Sequence, residues 1–110
     1  MTATVRTVSD AELERALRVA GDVPDPEIPA VTLEDLGVLR GAVRQGGQIV
    51  VKLTPTYTGC PATQAIRMMV ETALLEAGFP TARVETVLAP AWTTDDITAR
   101  GRARLKEFGI

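Results

Sequence analysis

The stretch "QIVVKLTPTYTGCPATQAIRMMVETALLEAG", residues 48–78, carries two different periodicities with a sharp break between them. Ile49, Val51 and Leu53 alternate with polar or outward positions, which predicts a strand over 48–54 with one face on a core. Ile66, Met69, Val70, Ala73, Leu74 and Ala77 then recur at helical spacing. Gly78 suits the position just past that helix, and Pro80 follows shortly. A strand feeding a helix through a Gly-Cys-Pro corner points to a layered α/β arrangement.

The corner holds the only cysteine, Cys60. Pro61 fits the first helical position, so Cys60 would be the N-cap. A thiol caps poorly compared with Ser, Thr, Asp or Asn. At a helix start the dipole and free amides favour thiolate, so the placement predicts a thiol more acidic than a free one. Gly59 leaves room for close approach of a ligand or backbone. The plain alternative is a small buried hydrophobe, as free cysteines often are. On these residues alone Cys60 stays open between packing, nucleophile and ligand.

Outward from this centre, Ser9 and Glu12 form a capping box. Leu13, Ala16, Leu17 and Ala20 continue it as an amphipathic helix over about 10–20, ended by Gly21. "VPDPEIP" (23–29) has three prolines in six residues, which predicts a stiff extended segment. "LEDLGVLRGAV" (33–43) is expected to become a strand near Leu36–Val43. "QGGQ" turns it into the strand at 48–54, with Gly46 and Gly47 supplying positive φ. "ARVETVL" (82–88) alternates as a third strand. "APAWTTDDI" (89–97) leads into a helix capped by Thr93 or Thr94, with Ile97, Gly101, Leu105 and Phe108 along one stripe. The expected fold is α/β (α+β): a two-layer sandwich, a small three-stranded mixed sheet, and the order α-β-β-α-β-α. The crossover between the second and third strands is expected to be right-handed. Strand order is left open.

Asp25 and Glu27 flank Pro26, and in extended backbone residues two apart share a side. Both carboxylates then face one site, unless one simply supplies a turn bond. Thr54, Thr56 and Thr58 alternate similarly, as pocket liners or as ordinary strand-end threonines. The start of one hairpin strand lies beside the end of the next. If "PDPEIP" runs straight into the first strand, Asp25 and Cys60 therefore reach the same sheet edge. Trp92 is expected in the core, and Asp95 and Asp96 at the first turn of the last helix. Met68 and Met69 are expected in helix core.

Composition removes several chemistries. The chain has 110 residues, a net charge of −2, one cysteine and no histidine. One cysteine and no imidazole rule out an internal disulfide, a self-contained Cys₄ zinc site, the common His/Cys zinc sets and any Cys-His or Ser-His pair. The acidic balance argues against nucleic-acid binding through the overall field, and no G-x-x-G clamp supports an RNA module. No phosphate-binding glycine loop is present. No apolar run approaches the roughly 18 residues of a membrane span, and the N-terminus has no signal-like core.

Taken together, "DPEIPAVTLEDLGVLR" (25–40), "LTPTYTGCPA" (53–62) and "APAWTTDDITARGRARLKEFGI" (89–110) resemble the PaaD-type accessory subunits of phenylacetyl-CoA epoxidase (phenylacetate monooxygenase). These lie within the SufT-like iron–sulfur assembly domain family. The shorter pattern D-P-E…D-L-G…G-C-P is the part shared across that wider family. The resemblance implies a single iron–sulfur assembly-like domain over 1–110, with the αββαβα order reached above. It implies a non-catalytic factor that matures or delivers a metal centre for the monooxygenase; the alternative is a structural subunit of that complex. Cys60 and Asp25 are implied as metal-handling residues, with Glu27 and Thr58 as cofactor-binding neighbours. No tightly bound cofactor is implied, only a transient iron or iron–sulfur cluster. The implied partners are the di-iron oxygenase and the iron–sulfur reductase, not nucleic acid or membrane, with a homodimer left open. The implied location is the cytoplasm. PaaD-type proteins continue past the final "GI" into a cysteine-rich, zinc-ribbon-like tail; this sequence ends at Ile110, so that tail's functions lie outside it.

Overall fold

A computed structural model describes residues 9–26, 28–55, 62–107 and 109. The first helix, α1 (Asp10–Gly21), starts where its capping box predicts: Ser9 accepts from the Glu12 amide, and Glu12 reaches back to the Ser9 amide. Its apolar side buries Ala16 and Ala20 completely. Gly21 remains helical and sits against the Glu34 side chain, so it serves close packing while Asp22 ends the helix.

The next segment departs from expectation. Residues 33–36 form a short helix, α2 (Leu33–Leu36), instead of opening a strand. The cause is a second capping box, in which the Thr32 hydroxyl accepts from the Asp35 amide and the Asp35 carboxylate from the Thr32 amide. Gly37 closes the turn at φ 72, a left-handed conformation that suits glycine. The first strand, β1 (Leu39–Gln45), therefore begins three residues late.

β1 pairs antiparallel with β2 (Gln48–Leu53) through the expected glycine turn, with Gly46 at φ 58 and Gly47 at φ 80. α3 (Ala62–Glu76) crosses over to β3 (Arg83–Thr86), which pairs parallel with β2. The order is β1-β2-β3, so β2 is central. Ile49, Val51 and Leu53 lie in the core as predicted, and Val50 is buried on the other face, as befits a central strand. α1 and α3 pack together on one side of the sheet. Val70 and Leu74 are fully buried; Ile66, Met69, Ala73 and Ala77 pack partly buried beside them. Met68 does not share that fate and is 61% exposed.

After β3, a 3₁₀ turn (Thr94–Asp96) is capped by Thr93, and the last helix, α4 (Ala99–Glu107), starts at a separate cap. Thr98 supplies it: its hydroxyl accepts from the Gly101 amide at 3.0 Å and its carbonyl from the Arg102 amide at 2.9 Å. Ile97 thus precedes the helix instead of joining its stripe, and Phe108 lies outside the described residues. Trp92 packs against the core and donates its indole N–H to the Leu36 carbonyl at 2.7 Å.

Gly101 has an instructive environment. Alanine in a helix interior normally gains about 1 kcal/mol over glycine. Here a Cβ would overlap the Asp35 carbonyl oxygen, which is backbone and cannot swing away. Overpacking of that kind costs about 1–3 kcal/mol. Gly101→Ala should therefore lower the melting temperature, by about 5 °C in a thermal melt, although helix propensity alone predicts an increase.

Candidate functional site

Asp25 occupies the bend of the proline-rich segment. Its amide donates to the Val31 carbonyl at 2.9 Å, and Pro24 bridges to Thr32, so Pro24 and Asp25 lie back against Val31 and Thr32. One Asp25 carboxylate oxygen accepts from the Ile28 amide at 2.8 Å. The side chain is 8% exposed. The segment turns back where the sequence predicts an extended run, because the Asp25 carboxylate and the Val31 and Ile28 backbone close a turn. It feeds α2 and not β1, because the Thr32–Asp35 capping box intervenes. Glu27, Thr58 and Cys60 lie outside the described residues.

Of the alternating threonines 54, 56 and 58, only Thr54 lies among the described residues, and it is buried. Its amide donates to the Val38 carbonyl at 2.8 Å, and its hydroxyl accepts from Arg40 Nε at 2.8 Å. Thr54 thus serves as a strand-end anchor. The cross-strand pair Leu39–Leu53 does bring the start of β1 beside the end of β2, as a hairpin must.

The most heavily bonded feature among the described residues was not singled out from the sequence: the turn Asp35-Leu36-Gly37. Asp35 is fully buried. Its carboxylate accepts from Arg100 Nε at 2.6 Å, from Arg104 at 3.3 Å and from the Thr32 amide at 3.0 Å. Burial alone would raise its pKa; the Thr32 amide and the Arg100 guanidinium outweigh that and hold the carboxyl below its ordinary value. Arg100 is correspondingly raised by its bond to Asp35. The Asp35 carbonyl accepts from the Thr98 amide at 2.9 Å. At Gly37 any Cβ would overlap the Asp96 backbone. Three consecutive residues therefore seat the whole C-terminal arm, residues 90–107. The sequence signal for this was T-x-x-D at 32–35; nothing local announces arginines 65 and 69 residues away.

Asp96 repeats the device on the arm, accepting from the Thr93 amide at 2.9 Å and meeting Arg40 at 3.5 Å. The Thr93 amide first, then Arg40, hold its carboxyl below the ordinary value. A groove of about 550 Å³ opens between α1 and the start of β1, lined by Leu17, Arg18, Glu34, Leu39 and Arg40 among others. A shallower one of about 360 Å³ lies between Val23-Pro24 and the α3 residues Met68, Met69 and Thr72. Among the described residues no three His, Cys, Asp or Glu side chains cluster in a way that could hold a metal. Among them, too, no helix is long and apolar enough to cross a membrane.

These features define a small α+β domain with a β1-β2-β3 mixed sheet and an acidic turn at Asp25. The same fold occurs in the crystal structure of a domain of unknown function, DUF59, from Bacillus anthracis, with a TM-score of 0.77 at 22% identity, covering 88% of this chain and 93% of that one. A second solved relative is a Mycobacterium tuberculosis protein described as associated with Fe–S complex assembly and repair. It is 31% identical, with a TM-score of 0.50, covering 100% of this chain and 95% of that one. The chain belongs to the iron–sulfur cluster assembly protein family, whose sequence profile matches residues 10–89. It is also 39% identical over 104 residues to an Escherichia coli (strain K12) protein assigned as one of the subunits of 1,2-phenylacetyl-CoA epoxidase. That match covers 94% of this chain and 63% of the relative, so the chain spans less than two thirds of the relative's length. Both findings agree with the PaaD-type resemblance.

Proposed function

We propose that this chain is a non-catalytic, cytoplasmic accessory factor that hands an iron or iron–sulfur centre to a multicomponent phenylacetyl-CoA ring monooxygenase. The observation that carries this is the 39% identity, over 94% of the chain, between a member of the iron–sulfur assembly family and a protein assigned as an epoxidase subunit. Cys60 is the transfer thiol, Asp25 the supporting carboxylate, and Glu27 and Thr58 their neighbours in the two motifs. The oxygenase and the reductase are the recipients.

The metal centre is cargo here, not a resident cofactor. Iron–sulfur clusters are held mainly by about four thiolates. This sequence offers one thiol and no imidazole. The remaining donors must come from small thiols, from the recipient or from a second copy. A cluster shared in that way is held weakly and passed on by thiolate exchange. That suits delivery.

A second reading makes the chain a structural subunit of the same complex, with Cys60 merely packed. It draws on the outer face of α3, where Met68 is 61% and Leu75 is 57% exposed. Large apolar side chains at such positions suit a partner surface.

The test is to express the oxygenase and reductase with and without this protein and to measure their bound iron and sulfide. An assembly factor raises metal content of the purified recipients and is absent from the final complex. A structural subunit stays in the complex and leaves metal content unchanged.

A further inference from the structure

We infer that Arg40 is a positioning residue that ties the root of the Cys60 segment to the C-terminal arm. Its place in the sheet is irregular. Leu39 pairs with Leu53 and Gly41 with Lys52, so Arg40 is the extra residue of a bulge. Bulges re-aim a side chain out of the ordinary alternation. Here the guanidinium reaches three partners from distant parts of the chain. Nε donates to the Thr54 hydroxyl at 2.8 Å. The terminal nitrogen donates to the Pro90 carbonyl at 3.2 Å and meets the Asp96 carboxylate at 3.5 Å. The side chain is 19% exposed; its bonds to Thr54 and Asp96 are part-buried, and the one to Pro90 is exposed.

Thr54 is where the chain leaves the sheet toward Cys60. Three constraints set its direction. Its amide is fixed to Val38, its hydroxyl to Arg40, and the following Pro55 restricts it to extended backbone. Of the three, only Arg40 also grips the arm. Asp96 in turn is held by the Thr93 amide, and its backbone lies against Gly37. A single planar fork therefore fixes the exit of the Cys60 segment and the seat of residues 90–96 together. Lysine, a single point charge, cannot make the same set of bonds.

The meaning of this coupling rests on Cys60 being the working thiol; its measurement does not. Cys60 is the only cysteine, so iodoacetamide alkylation of the native chain at one fixed pH, followed by mass spectrometry, reports that residue alone. Arg40→Gln and Thr54→Val should each raise the alkylation rate about fivefold, equivalent to about 1 kcal/mol. Arg40→Lys should fail to restore the wild-type rate. Asp96→Asn, more than 30 residues from Cys60 in sequence, should raise it about twofold. The double variant Arg40→Gln/Asp96→Asn should be no faster than Arg40→Gln, because both act through one contact. A lowered melting temperature with a Cys60 rate within about twofold of wild type in Arg40→Gln would make Arg40 a fold residue only and overturn the inference. So would effects of Arg40 and Asp96 that multiply. Should Arg40→Gln fail to fold, Thr54→Val and Asp96→Asn decide alone: unchanged rates in both overturn it. A wild-type recipient metal content with Cys60→Ser would remove the delivery reading and leave the coupling standing.

Discussion

Asp35→Ala should destabilise the domain by about 3 kcal/mol, a larger loss than at either of its arginine partners. Three contributions make up the figure. Loss of the carboxylate's bond to the Thr32 amide opens a capping box, worth about 1 kcal/mol. The bonds to Arg100 and Arg104 are charge-assisted but discounted, because those side chains are 53% and 40% exposed and regain water when released. They contribute a smaller share. The remainder is the unfilled space at a fully buried position. The mirror variants Arg100→Ala and Arg104→Ala should each cost less, since the other arginine and the Thr32 amide still hold the buried carboxylate. Urea unfolding of the three variants checks the asymmetry. Amide exchange should show where the loss falls: α4 and the Thr94–Asp96 turn open first in Asp35→Ala, with β2 and α3 following only with global unfolding.

The pH dependence follows from the same carboxylate. Its pKa is lowered on folding, so it contributes stability that is present above the unfolded value, about 3.9. That stability is lost as pH falls through the lower folded value. Asp96 shifts in the same direction. Wild type should therefore lose urea resistance more steeply than Asp35→Asn as pH drops below about 4. The gap between the two should narrow there and stay constant at neutral pH.

Much of this architecture is legible in the residues. The Ser9–Glu12 box, the Gly46-Gly47 turn and the two periodicities of 48–78 each rest on local spacing, and local spacing is what a sequence displays. The 33–36 segment shows the limit. Leu33, Leu36 and Val38 look equally like a strand entry, while T-x-x-D, a weaker form of the same capping signal, decided for a helical turn. Thr93 and Thr94 were the expected caps of the last helix, while Thr98 takes that place, held by its amide bond to the Asp35 carbonyl and its hydroxyl bond from the Gly101 amide. Arg40 and the arginine pair on Asp35 were invisible for another reason. Their partners lie 14 to 69 residues away, and a bulge leaves no residue pattern of its own. The acidic loop was half legible: a turn bond from an acid was one of the two readings of Asp25 and Glu27, but the reversal of the chain and its destination were not.

Asp25 and Cys60 should behave as one unit in maturation of the recipient. Asp25→Asn is the informative change, because asparagine keeps the shape and can still accept from the Ile28 amide. A residue needed only for the turn should tolerate it with less than about 1 kcal/mol of stability lost. A carboxylate needed for metal handling should lose most of the delivery activity while the protein stays folded. In a double-mutant cycle with Cys60→Ser, the two losses should not multiply, since removing either residue already disables the shared site. Losses that multiply would assign Asp25 to the loop alone.

The central claim is that Cys60 carries the metal centre to the recipient. Its most direct measurement is the iron and sulfide content of oxygenase and reductase purified from cells producing Cys60→Ser in place of the wild-type chain. Soluble amounts of the two chains are matched, and each is checked by a urea melt. Delivery through the thiol predicts recipients as metal-poor as those made with no accessory protein, from a variant of unchanged stability. Fully loaded recipients made with Cys60→Ser would contradict it.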